Sequence, residues 1–231
     1  MQTVLPYAHL LFTGTVITLL VTLAALPIGI ALGLLGAGAK LSGDPVAMAY
    51  GNVYTSIVRG IPEFLVILVF ATGSQFAVNA VAESLGYEGH IDVNPFVAGV
   101  VALGFMFGAY ATEVFRGAIL AIPKGQIEAA RAIGMGRWLT FTRVTLPQVW
   151  RLALPGLGNL YLVLMKDSAL VSLIGLNDIM RVSGIAAQAT KNTVLFYFVA
   201  ALIYLALTVV SMRVQAPLEA WANKGLPKAV H

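Results

Sequence analysis

Lys166, Asp167 and Ser168 place two opposite charges and a hydroxyl inside an apolar stretch, 152–176. An ionisable side chain near the centre of a bilayer costs about 2.5–3.5 kcal/mol on insertion scales, so each one needs a compensating role. Neighbouring helical residues point about 100° apart, so Lys166 and Asp167 need not neutralise each other. Two roles fit. In one, Asp167 faces a polar path and receives a cationic or amino group, with Lys166 beside it and Ser168 adding a hydroxyl donor and acceptor. In the other, both charges pair with neighbouring helices and fix packing. Glu113 and Arg116 lie three apart, and Arg59 and Glu63 four apart; either spacing puts a pair on one helix face. Arg59 and Glu63 read as a local ion pair at a membrane boundary. Glu113 also shares its face with Tyr110, which makes both candidates for the same polar path.

Covalent and metal chemistry is not encoded. The chain has no cysteine, which excludes thiol catalysis and zinc–thiolate sites. His9, His90 and His231 fall in three separate segments, so no histidine metal site is expected. No Gly-Lys dipeptide occurs, hence no phosphate-binding loop, and there is no nucleophile elbow. The chain reads as a non-enzyme that carries no cofactor of its own.

The elements that must position these residues follow from composition. Of 231 residues 59% are hydrophobic and 10% charged, and the mean hydropathy is +0.87. A soluble domain carries about 25% charged residues to solvate its surface. Here most of the surface must therefore face lipid. A span needs about 20 apolar residues, and five stretches qualify: 10–38, 64–82, 93–112, 152–176 and 192–212. Without water to satisfy the backbone, all five should be helices. The expected fold is all-α integral membrane, a single transmembrane domain over 1–231. The first 39 residues hold no Lys, Arg, Asp or Glu, unlike the positive start of a signal peptide, so the first stretch is expected to remain a span.

Charge placement orients the spans. With the N-terminus outside, the inner segments 39–63, 113–151 and 213–231 hold eleven Lys and Arg residues. The outer segments 83–92 and 177–191 hold only Arg181 and Lys191, beside Glu83, Glu88, Asp92 and Asp178. The positive-inside bias therefore predicts N-out, C-in. Gly29/Gly33 and Gly104/Gly108 are small-xxx-small pairs that let helices approach closely, though glycine is also simply common in membrane helices. Pro27 and Pro155 should kink or start helices. No inverted repeat of the secondary-transporter kind is present.

The segment 116–151 is the one polar loop, with six basic residues and Glu128. Pro123-Lys124-Gly125 predicts a turn, and residues 126–133 a short helix with Glu128 in its first turn, where the macrodipole favours an anion. Gly134 is placed to stop that helix. A second short helix over 137–143 follows. Small Ala129, Ala130 and Ala132 would let the first helix enter a groove on another protein, with Arg131 and Arg137 pairing to acidic groups on its rim. A basic helix resting on anionic lipid headgroups fits the same charge.

The spacing Glu128-Ala129-Ala130, three residues, Gly134, nine residues, Val144, one residue, Leu146-Pro147 resembles the EAA loop of bacterial ABC import permeases, with Val144 where isoleucine is usual. Val58-Arg59-Gly60-Ile61-Pro62-Glu63, Gly108-Ala109-Tyr110-Ala111-Thr112-Glu113 and Lys166-Asp167-Ser168-Ala169-Leu170-Val171 resemble the polar-amino-acid branch of that family. Within that branch the histidine/lysine/arginine/ornithine and octopine/nopaline importers look closest. The resemblance implies a type I importer transmembrane domain in the bacterial inner membrane. It implies an ATPase-docking surface at Glu128, Ala129, Ala130, Arg131, Gly134 and Arg137. It also implies ATPase subunits that bind ATP and Mg, a second homologous permease subunit (different or identical), a periplasmic substrate-binding protein and no nucleic acid. Basic amino acids, histidine and opines are the implied substrates. An ion-driven carrier or a membrane scaffold is the rival reading, and neither accounts for the loop spacing.

Overall fold

The computed structural model describes residues 3–87, 89–222 and 224; Glu88, Lys228 and His231 lie outside the described residues. Its helices are α1 (Ala8–Leu41), α2 (Pro45–Gly60), α3 (Glu63–Ser84), α4 (Pro95–Leu120), α5 (Lys124–Ala132), α6 (Arg137–Thr140), α7 (Leu146–Asp167), α8 (Ile179–Thr190) and α9 (Thr193–Ala222). No strand occurs among the described residues. Five helical runs are long and apolar enough to cross a membrane: Leu5–Leu41, Glu63–Ser84, Pro95–Leu120, Arg137–Ile174 and Thr193–Ala222. These are the five expected spans. Each helix outruns its apolar core, because hydropathy marks where lipid ends and not where helical hydrogen bonding ends.

The bundle is organised around α4, which is buried along most of its length and packs most extensively on α1. The two small-residue pairs meet there. A Cβ on Gly29 would lie 3.0 Å from the Gly104 carbonyl oxygen, and one on Gly104 3.0 Å from that of Ala25. One on Gly108 would lie 2.7 Å from Leu32 Cβ, and one on Gly33 2.7 Å from Ala111 Cβ. The backbones are therefore as close as they can be, which in lipid gives dispersion contact where no hydrophobic effect is available between helices.

Residues 45–60 are a helix of their own. Asp44 caps it by accepting from Ala47 N at 2.8 Å, and Pro45 sits in its first turn. It folds back onto α1 and α4, where Tyr54 donates to the Phe105 carbonyl at 2.6 Å. The helix ends at Ile61, held extended (φ −102°, ψ 141°) by Pro62, and α3 starts at Glu63. Arg59 and Glu63 therefore lie on different helices and form no local ion pair, contrary to the expectation from their spacing. Glu113 and Arg116 do pair, at 2.9 Å. Glu113 also receives Lys40 from α1 at 2.6 Å, so this triad pins the inner ends of α1 and α4 together.

At the outer side Gln75 and Asn79, one turn apart on α3, hold the loop before α4. Asn79 accepts from Ile91 N at 2.8 Å and donates to its carbonyl at 3.0 Å, and Gln75 accepts from Val93 N at 2.8 Å. Asp178 caps α8, accepting from Arg181 N at 2.9 Å, while Ile179 N donates to Thr18 of α1. Asp178 is fully buried, and its Oδ2 has no hydrogen-bond partner, nor does the buried Tyr204 hydroxyl of α9. Burial pushes the Asp178 carboxyl up to about 6 from 3.8, with the α8 backbone amides opposing the rise.

Two measurements test these contacts. Gly29→Val should lower the melting temperature of the detergent-solubilised chain by several degrees, as expected for about 1–3 kcal/mol of overpacking. Gly117→Ala, where a Cβ meets nothing within 4 Å, should be neutral or stabilising. Because the folded-state pKa of Asp178 is raised, the folded chain binds the extra proton between about pH 4 and 6. Its contribution to stability is therefore full below pH 4 and is lost as the pH rises through 6. Thermal unfolding across that window should show wild type losing on the order of 3 kcal/mol relative to Asp178→Asn, which keeps the cap. A constant difference across the window would contradict the assignment.

Candidate functional site

Two places gather the polar side chains that the fold does not consume. The first lies midway along the bundle, where α3, α4 and α7 converge. Asp167, the last residue of α7, and Glu63, the first residue of α3, both neighbour Tyr110 of α4. The Tyr110 hydroxyl of α4 donates to Glu63 Oε1 at 3.3 Å, and the Arg59 guanidinium stacks over the Tyr110 ring, 5.6 Å from its centroid. Among the described residues neither Glu63 nor Asp167 has a Lys or Arg within ion-pair distance. Met106, Phe107, Leu160 and Leu164 line the small cleft that Tyr110 and Asp167 share. Two adjoining carboxyls in an apolar cleft repel each other unless a cation or proton lies between them. Chemically, such a pair is relieved by a cation or by a proton.

Of the residues expected along a polar path, the structure brings Asp167 and Tyr110 together and leaves three elsewhere. Lys166 is exposed, one step around α7 from the cleft. Ser168 is fully buried and donates to the Met165 carbonyl at 2.7 Å, which removes it from any open path. Glu113 is held by Lys40 and Arg116 at the inner boundary. Glu63 completes the cleft and was not among the expected path residues. The signal that could have found it is Pro62, which breaks the helix and frees Glu63 from Arg59.

The second place is the cytoplasmic knob. Pro123 precedes α5, and Gly134 ends it with φ +86°, as Gly134 N donates to the Arg131 carbonyl and Met135 N to that of Ala130, both at 3.0 Å. This is the expected glycine stop. Glu128, by contrast, is the fifth residue of α5, because the helix starts at Lys124, and it lies outside the first turn. Glu128, Ala129, Arg131, Gly134 and Arg137 are exposed, whereas Ala130 faces inward and is buried. Ile133 and Trp138, 79% and 75% exposed, add a large apolar surface beside them.

The loop does not return to the membrane through a separate helix over 137–143. From α6 the chain runs through a π-helical turn (Phe141–Thr145) directly into α7, which continues as a 3-10 segment (Ser168–Ile174). Pro147 has no N–H for the preceding turn, and Leu146 N donates five residues back to Phe141.

The family described as binding-protein-dependent transport system inner membrane component matches residues 25–224. The chain belongs to this permease family. It is 42% identical over 223 residues to the histidine/lysine/arginine/ornithine transport system permease protein HisQ of Salmonella typhimurium (strain LT2), covering 96% of this chain and 97% of that protein. It is 45% identical over 214 residues to the nopaline transport system permease protein NocQ of Agrobacterium fabrum (strain C58), covering 92% and 91%. A chain in the crystal structure of an amino acid ABC transporter with histidines superposes with a TM-score of 0.79 at 30% identity, over 95% of this chain and 97% of that one. The permease is thus a multi-pass membrane subunit with the type I importer fold, and not an enzyme; hydrolysis of ATP resides on separate subunits. Among the described residues no three His, Cys, Asp or Glu side chains are grouped to hold a metal ion.

Proposed function

We propose that this permease imports cationic amino acids, histidine or the opines built on them across the bacterial inner membrane. The observation that carries the reading is that two carboxyls, Glu63 and Asp167, gather at Tyr110 and, among the described residues, have no Lys or Arg within ion-pair distance. A substrate ammonium or guanidinium supplies the missing charge, and Tyr110 holds Glu63 toward it. Substrates named for the relatives, histidine, lysine, arginine, ornithine and nopaline, all carry such a group. Arg59, over the Tyr110 ring, is the counter-charge available to a substrate carboxylate.

The permease works as one of a pair with a similar, non-identical second permease subunit. A periplasmic binding protein delivers substrate from outside, and two ATPase subunits that bind ATP and Mg sit on the inner face. Glu128, Ala129, Arg131, Gly134 and Arg137, with Ile133 and Trp138, form the surface that docks into the ATPase. The exposed Ile133 and Trp138 add an apolar surface that suits a protein groove.

Uptake by the assembled transporter in proteoliposomes tests the site. Asp167→Asn and Glu63→Gln should each raise the KM for arginine about 10- to 100-fold, the effect of a lost charge-assisted contact. The same variants should melt at a higher temperature, because repulsion is relieved. Lys166→Gln should transport normally; unchanged KM in both acidic variants would refute the carboxyl receptor. For docking, Glu128→Arg should release the ATPase during co-purification in mild detergent and abolish vanadate-sensitive hydrolysis in the tagged fraction. An ATPase retained at wild-type level would place the docking surface elsewhere.

A further inference from the structure

An apolar groove with a volume of about 490 Å³ lies between α1, α7 and α9, with Phe107 of α4 also lining it. It belongs to neither the carboxyl cleft nor the knob. Its walls are Leu19, Leu23, Leu26 and Ile30 on one side and Leu154, Leu157 and Tyr161 on the other. Along α9 it runs from Val210 to Glu219, nine residues or about 14 Å, the depth of the hydrocarbon in one leaflet. The C-in orientation puts its Glu219 end at the cytoplasmic interface, where Trp150 also lies.

Apart from Ser211 and Tyr161, the polar lining lies at that end. Gln215 and Glu219 reach across Gly158, so that a Cβ there would come 2.9 Å from Gln215 Oε1 and 3.3 Å from Glu219 Oε1. Glu219 is half-buried, and among the described residues no Lys or Arg lies within ion-pair distance of it. Arg151, next to Trp150, gives its Nε to the Ala222 carbonyl at 2.8 Å and stacks over Trp221, and neither contact uses its terminal N–H groups. A carboxylate outside ion-pair distance of any described Lys or Arg thus closes an apolar slot of one-leaflet depth, and Arg151 is held on α9 within one turn of it.

We propose that this groove binds one acyl chain of an inner-leaflet phospholipid whose headgroup carries a primary ammonium. The ammonium sits on Glu219, the phosphate on Arg151, and the chain lies along α9 against Leu23, Leu154 and Leu157. Both headgroup charges are met, which neither an anionic lipid nor an apolar protein segment would do. The lipid fills the space between α7, which carries Asp167, and α1, and braces the two against each other.

Native mass spectrometry of the intact transporter, exchanged into equal amounts of dioleoyl phosphatidylethanolamine and dioleoyl phosphatidylglycerol, tests the site. Wild type should retain the ethanolamine lipid about fivefold over the glycerol lipid, the upper range for one ion pair near a surface. Glu219→Gln, which keeps shape and loses charge, should bring that ratio to about one. Leu154→Trp, which fills the groove, should release both lipids. No retained lipid in wild type, or a ratio that Glu219→Gln leaves unchanged, overturns the proposal. So does a high-yield disulfide between Ser211→Cys, unique in this cysteine-free chain, and a cysteine on the second permease subunit, because the occupant would then be protein.

Discussion

Close backbone approach between α1 and α4 is the contact on which the other helices depend. Gly29 and Gly33 on one helix, and Gly104, Gly108 and Ala111 on the other, leave no side chain between the two axes. In lipid, where apolar side chains gain nothing by leaving their solvent, such a seam is one of the few ways to hold two helices firmly. The Lys40–Glu113–Arg116 triad locks its inner end, and Thr18, accepting from Ile179, ties its outer end to α8. With α4 fixed against α1, its opposite face is free to present Tyr110, and α3 and α7 bring their carboxyls to that face.

Polar groups inside the bundle divide by whether they are satisfied. Thr22, Thr112 and Ser168 spend their hydroxyls on carbonyls of their own helices, at 2.7–2.8 Å, and belong to the scaffold. Glu63 accepts only from Tyr110, and among the described residues neither it nor Asp167 has an ion-pair partner. Natural proteins leave repulsive contacts of this kind where a ligand relieves them, since otherwise the stability cost has no return. Asp178 is an intermediate case: the amides of α8 hold one oxygen, and the other is buried without a partner.

The spans and the basic loop were legible in the sequence because hydropathy and charge act locally; the two glycine pairs marked close approach without saying which helices would meet. The Gly134 stop was legible for the same reason: a positive φ at a helix end selects glycine. Contacts that join distant segments were not. Lys40 could not be assigned to Glu113, 73 residues away, and Glu63 could not be assigned to Asp167. The Arg59–Glu63 spacing misled because the four-residue rule holds only within one helix, and Pro62 had ended it. Ala130, Ser168 and Lys166 were chosen by type and neighbourhood, which fix a residue's sequence position but not the side of the helix it occupies.

The unbroken helical run from Arg137 to Ile174 acts as a connecting rod between the knob and the cleft. Because the run is helical throughout, the knob and Asp167 are carried by one continuous element. The π-turn at Phe141–Thr145 is the rod's softest joint, since its backbone hydrogen bonds are the least regular along it. Any bending between the knob and the span is therefore easiest at Phe141–Thr145, where the α-helical hydrogen-bond ladder is interrupted.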